Sequence, residues 1–111
     1  MIGRGVNLAP FYVLTSDLVL GNHVTVSSFI AVAHDVEVGK YCQISGHCGL
    51  NGNVTLEEGG FLGSHAALVP GARVGVWSYM RAGSIVLRRV APSTKVFGNP
   101  ARKIGVMLGS E

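Results

Sequence analysis

The stretch Val32-Ala33-His34-Asp35-Val36-Glu37-Val38-Gly39-Lys40-Tyr41-Cys42-Gln43-Ile44-Ser45-Gly46-His47-Cys48-Gly49-Leu50 decides the fold. An aliphatic residue returns at every sixth position, at Val32, Val38, Ile44 and Leu50. Four residues after each comes a small or β-branched one, at Val36, Cys42 and Cys48. Turn-forming pairs such as His34-Asp35 and Gly46-His47 separate them. The same register extends outward in both directions through Ile2, Leu8, Leu14, Leu20, Val26, Leu56, Leu62, Leu68, Val74, Met80 and Val86, making fifteen consecutive positions. If about a quarter of residues are of these types, chance gives such a run odds on the order of one in a billion. The next step falls on Pro92, and there the repeat is expected to stop.

A fixed period of this kind signals a solenoid. Alternation along a short strand sends the aliphatic residue inward, and a corner every six residues folds the chain into a three-faced prism. One coil is then eighteen residues, and the fifteen positions make five coils. Stacked coils bond as parallel strands about 4.8 Å apart, and each aliphatic lies over the one a coil away. The expected architecture is all-β, with the solenoid over residues 1–91. Residues 92–111 form a tail of the same domain, turn-rich from Ala91 to Ile104, with a short closing element at Ile104–Leu108.

Composition agrees. The chain has 111 residues, 48% hydrophobic and 14% charged, which excludes a disordered chain. Its 16 glycines show no period of three, so they are turn glycines rather than collagen glycines. The two cysteines are too few for a disulfide scaffold, and their spacing fits no zinc pattern. No apolar run reaches membrane-spanning length, so a soluble, cytoplasmic protein in a reducing compartment is expected, with neither nucleic acid nor membrane as partner. Five of the nine basic residues, Arg88, Arg89, Lys95, Arg102 and Lys103, lie at or after Arg88, where the sole acid is Glu111. That end is either a solvated tail or a site for a phosphate-bearing ligand.

The pattern over residues 2–91 resembles the hexapeptide-repeat family of left-handed parallel β-helix proteins. The resemblance implies left-handed crossovers, against the general preference for right-handed ones. No capping element precedes Ile2, so the first coil is expected to expose an apolar end, covered either by another chain or by the rest of a larger parent.

All four histidines fall on corners, and His34 in the pair His34-Asp35 is the candidate base. A neutral imidazole can take the proton from a nucleophilic amine or hydroxyl, and an adjacent carboxylate can orient the ring. The pair alone is a weak signal and reads more readily as a solvated turn. Four further segments follow in order: Gly52-Asn53-Val54-Thr55-Leu56, the run from Gly63 to Gly71, the corner Ala82-Gly83-Ser84, and the tail Val96-Phe97-Gly98-Asn99-Pro100-Ala101-Arg102-Lys103-Ile104. Together, over residues 26–104, they resemble the catalytic half of sugar O- and N-acyltransferases of the sialic-acid and bacillosamine type. That resemblance implies a general-base role for His34, acetyl-coenzyme A as co-substrate, an amino or nucleotide sugar as small-molecule acceptor, and a homotrimer. Three departures stand out. The N-terminal acceptor-binding domain of that family has no counterpart here. Gln43 stands where several members carry a second histidine, and Ser27 where some carry an asparagine.

An eighteen-residue step places the corner of His34 in a column reading Ser16, His34, Gly52, Pro70 and Arg88, beside Asp17, Asp35, Asn53, Gly71 and Arg89. Either these are ordinary small turn residues, or they form a channel about 14 Å long for a pantetheine arm, with arginines at its far end for phosphates. Taken with the family motifs, the expected coenzyme contacts are Gly52, Pro70, Gly71, Ala82, Gly83, Arg88, Arg89, Gly98, Pro100, Arg102 and Lys103. His47 and His65 are expected to stack one coil apart below Phe29, and no metal is expected there. Tyr41 and Trp77 share a column with His23 and read as surface or interface packing. Cys42 and Cys48 read as small apolar core residues. Two competing functions remain open, a non-catalytic binding or scaffolding β-helix and, less consistent with the histidine spacing, a metal-dependent lyase or hydratase.

Overall fold

The structure is a computed structural model that describes residues 1–10, 12–14 and 17–107, with 12–14 described in backbone only. Ser16, the Leu14 side chain, Leu108 and Glu111 lie outside the described residues. Seventeen short strands follow one another in the described residues, with no helix among them. They are β1 (Asn7–Leu8), β2 (Tyr12–Leu14), β3 (Leu18–Leu20), β4 (Thr25–Val26), β5 (Ile30–Val32), β6 (Val36–Val38), β7 (Gln43–Ile44), β8 (Gly49–Leu50) and β9 (Thr55–Leu56). The lower part continues with β10 (Phe61–Leu62), β11 (Ala67–Leu68), β12 (Arg73–Val74), β13 (Tyr79–Met80), β14 (Ile85–Val86), β15 (Arg89–Val90), β16 (Thr94–Phe97) and β17 (Arg102–Val106).

Every third strand lies on the same face. The first face runs β1-β4-β7-β10-β13-β16-β17, the second β2-β5-β8-β11-β14, and the third β3-β6-β9-β12-β15. All pairs are parallel except β16 with β17. Ile44 lies opposite Leu62 and Leu50 opposite Leu68, the eighteen-residue register read from the repeat. The inward aliphatics from Leu20 to Val86 are buried, and so are the residues four places after them, from Val24 to Ala72. Two serines, Ser78 and Ser84, occupy later inward positions; the Ser78 hydroxyl donates to the Ala91 carbonyl at 2.8 Å, so its burial leaves no donor unpaired. At the open first coil Ile2 is half exposed, as expected.

The corners share one conformation. Their third residue has positive φ, and it is often not glycine: Phe29 (63°), Tyr41 (64°), His47 (60°) and Trp77 (57°). Left-handed backbone costs a bulky residue roughly 1–2 kcal/mol. Each corner recovers stability from the coil above, as where the His47 N–H donates to the Ser28 carbonyl at 3.1 Å. Ring stacking adds to it: Phe29 lies 4.8 Å from His47, and His47 4.7 Å from His65. The expected stack of these three is present, as is a stack of His23 on Tyr41 at 5.4 Å.

The lower end departs from expectation in two ways. The repeat slips just after Val86 rather than ending at Pro92. Arg89 lies opposite Arg73 and Val90 opposite Val74, a step of sixteen, because the corner after Val86 is two residues short. The hexad then restarts, with Val90 and Val96 facing inward and Pro92-Ser93 making the corner. Consequently the stretch from Ala91 to Ile104 is not a loop throughout: β16 joins the first face beneath β13, and β17 turns back along it. β17 is the expected closing element, beginning two residues earlier than read.

Candidate active site

His34 and Asp35 form the corner between β5 and β6, where the second face meets the third. Asp35 takes the left-handed turn position, φ 56°, which a short polar side chain tolerates well. Its carboxylate reaches back to the preceding ring: His34 Nδ1 and Asp35 Oδ2 are 2.9 Å apart. With the proton on Nδ1 donated to Asp35, the lone pair lies on Nε2, the tautomer a base requires. Both side chains are more than half exposed, at 62% and 54%.

The ring leans toward the coil below. A Cβ built on Gly52 would sit 3.1 Å from both Cε1 and Nε2 of His34, so a glycine here leaves the ring its room. The backbone continues the column, with the Asn53 N–H donating to the His34 carbonyl at 3.1 Å and the Gly71 N–H to the Gly52 carbonyl at 2.9 Å. Gly71 (φ 83°) has open space where a Cβ would be. The upper part of the expected column, His34–Gly52–Pro70 with Asp35–Asn53–Gly71 beside it, is therefore in place.

Its lower end is not where the eighteen-residue step puts it. The shortened corner draws Arg88 and Arg89 out from beneath Pro70 and Gly71 onto the third face. There the Arg88 carbonyl accepts from the Arg73 N–H at 2.9 Å and Arg89 pairs with Arg73. The two arginines nonetheless meet the tail. A cavity of about 540 Å³ at the base of the prism is lined by Arg88, Arg89, Pro100, Arg102 and Lys103 over an apolar floor that includes Val86 and Val90. None of these four cations has a carboxylate within 4.0 Å among the described residues. Gly98 fixes the returning segment, its carbonyl accepting from the Ile85 N–H at 2.9 Å while the Ala101 N–H donates to the Ile85 carbonyl at 2.8 Å. Ala82 and Gly83 stand at a different corner from His34, separated from it by the second face, and space is open beside Gly83.

Two features escaped the sequence reading. The outward row of the third face, Val19–Glu37–Thr55–Arg73, adjoins Asp35 around a polar cavity of about 390 Å³ that also takes in Asp17 and Asn53. The Arg73 guanidinium there is held by Glu57 at 2.7 Å. The outward row of the second face, Ala31–Gly49–Ala67–Ile85, is small and apolar. Both rows are one residue before the aliphatic and could have been read by the same eighteen-residue step. Gln43 points outward on the first face between Thr25 and Phe61, away from the corner of His34. Cys42 and Cys48 are buried free thiols whose Sγ–H groups donate to the Glu57 and Gly63 carbonyls, each at 3.1 Å. Burial pushes the Cys42 thiol up to about 11 and raises Cys48 as well, so neither is an activated nucleophile. Among the described residues no three His, Cys, Asp or Glu side chains are grouped to hold a metal ion.

No family model matches the chain. A galactoside O-acetyltransferase of Lactococcus lactis is 27% identical over 85 residues, covering 77% of this chain and 41% of its own length. Among solved structures, WeeI from Acinetobacter baumannii superposes with a TM-score of 0.90 at 30% identity, over 93% of this chain and 51% of that one. A galactoside acetyltransferase in complex with coenzyme A superposes with a TM-score of 0.87 at 19% identity, over 96% and 64%. The chain thus spans about half the length of the relatives it matches. Superposition at this level fixes the hand of the coils as left. By its repeat, its coil register and these likenesses, the chain has the left-handed parallel β-helix fold built on hexapeptide repeats, the fold on which it superposes with these proteins.

Proposed function

We propose that this chain is the catalytic β-helix of a coenzyme A-dependent acyltransferase that moves an acetyl group to an amino or hydroxyl group of a sugar-like acceptor. The observation that carries the reading is the paired arrangement on one prism: an oriented imidazole at His34 and, three coil spacings or about 14 Å below, four cations around one cavity with no carboxylate partner among the described residues. Two of the relatives support it, since their names describe galactoside acetyltransferases and one is held with coenzyme A. The residues fit that co-substrate. Arg88, Arg89, Arg102 and Lys103 would hold its phosphates by charge-assisted hydrogen bonds, and the open ground past Gly71 leaves room for its arm. When bound it supplies an activated acyl thioester. His34 Nε2 takes the proton of the acceptor amine or hydroxyl as that group attacks, and returns it to the departing thiolate. Asp35 holds the ring tautomer and stabilises the imidazolium.

Because His34 and Asp35 are more than half exposed on one chain, the working unit is proposed to be a homotrimer in which a neighbouring prism walls the corner. A cytoplasmic location goes with the two free thiols. His34→Ala is expected to lower acetyl transfer roughly 100- to 10,000-fold while leaving coenzyme A affinity nearly unchanged. Full turnover by that variant, on an acceptor the wild type uses, would place the base elsewhere. A second reading, a β-helix that binds but does no chemistry, is favoured by Gln43 at the position of a family histidine. Coenzyme A binding without turnover of any amino or neutral sugar would select it.

A further inference from the structure

From Gly59 to Ser110 the sequence contains no Asp or Glu. Four of the cations in that span line the base cavity, but Arg81 and Lys95 do not. They stand on the outer side of the first face, across β16 and β17 from it. By register the outward row there runs Gln43, Phe61, Tyr79, Lys95, and Lys95 lies opposite Gly105 of β17. A separate cavity of about 510 Å³ opens on this side, lined by Tyr79, Arg81, Lys95, Ile104, Gly105 and Met107. Phe61 backs the Tyr79 ring at 4.6 Å and 4° from parallel, so the ring is held rigid as a flat wall. Arg81, which lines the cavity, lies over the Phe97 ring at 5.7 Å, a contact that restrains its guanidinium. Neither Arg81 nor Lys95 has a carboxylate within 4.0 Å among the described residues.

A rigid aromatic wall beside two cations with no counter-charge among the described residues is a receptor for one kind of small molecule, a planar ring that carries an anionic group. We propose that this cavity is a second ligand site, distinct from the transfer site, that takes a mononucleotide-type ligand. The ring of the ligand stacks on Tyr79, and its phosphate meets Arg81 and Lys95. Ile104 supplies an apolar edge to the ring. The site is independent of the transfer chemistry because His34 stands at the corner between the other two faces, and the base cavity opens on the far side of β16 and β17.

Calorimetric titration of the whole chain with uridine monophosphate tests the proposal, with uridine and inorganic phosphate as part-ligands. The expected result is saturable binding with Kd below about 1 mM and at least tenfold weaker binding of either part-ligand. Arg81→Ala and Lys95→Ala should each weaken uridine monophosphate about tenfold. Tyr79→Ala should bring it down to the level of phosphate alone. Arg102→Ala, at the base cavity, should leave it unchanged. Tyr79→Phe, which keeps the ring and the packing, should bind as wild type and guards against a folding artefact in Tyr79→Ala. Absence of saturable binding overturns the site. So does loss of binding in Arg102→Ala, which would assign the binding to the base cavity, or phosphate binding as tightly as the nucleotide, which would remove the stacking wall.

Discussion

His34 does its proposed work through its neighbours on either side of the chain. Asp35 accepts from Nδ1 and Gly52 leaves the ring unobstructed below, so the one nitrogen left for an acceptor is Nε2. Asp35→Asn keeps the shape but offers the ring no charge and can present an amide donor. It is expected to lower transfer by less than His34→Ala does and to leave coenzyme A affinity alone, in steady-state assays with both substrates varied. Cys42 tests the core at the same scale. Its thiol is raised to about 11 by burial, above its ordinary 9.0. A raised folded value means that the neutral thiol contributes stability below pH 9, and that this contribution is lost as pH rises from about 9 toward 11. Urea unfolding midpoints should therefore fall across that window, and a Cys42→Ala, Cys48→Ala double variant should show a flatter profile there.

Among the elements, the strands carry the fold through a single inward row. Leu50 is 1% exposed, between Val32 above and Leu68 below. Leu50→Asp would bury a charge with no partner, and little folded protein is expected by circular dichroism. A soluble, cooperatively melting variant would contradict the register. The coil register from Leu20 to Val86 was legible because each hexad repeats one physical choice, an aliphatic in and a turn out. The slip after Val86 was harder to read, because it is a deletion of two residues at one corner and stepping by six from Val86 passes over it to Pro92. The signal was nonetheless present, since Val90 and Val96 are again six apart and Pro92-Ser93 supplies the corner between them. The slip also explains the fate of the site residues. His34, Gly52 and Gly71 stack as read because nothing interrupts the repeat between them. Arg88 and Arg89 moved to the neighbouring face and reached Arg102 and Lys103 only because the chain turns back at Gly98. That return is set by tertiary hydrogen bonds to Ile85, which no hexad encodes.

At the scale of the molecule, charge is sorted along the prism axis. The carboxylates of the described residues, Asp17, Asp35, Glu37, Glu57 and Glu58, all lie above Gly59, and most cations lie below. A growing parallel solenoid must also be stopped, and the lower end does so on two of the three faces. β17 caps the first antiparallel, the Gly98–Ala101 segment bonds to Ile85 on the second, and the third ends on Arg89. The small apolar row Ala31–Gly49–Ala67 on the second face is where the proposed trimer would seat a neighbouring prism, and light scattering is expected to give a trimer at micromolar concentration. A monomer there would leave the corner of His34 without a wall. The account as a whole rests on the base cavity holding a phosphate-bearing acyl donor. The most direct test is calorimetric titration of coenzyme A into wild type, His34→Ala and Arg102→Ala at low salt. One saturable site per chain is predicted, unchanged by His34→Ala and weakened at least about tenfold by Arg102→Ala. No saturable heat in the wild type, or equal affinity in all three proteins, would contradict it.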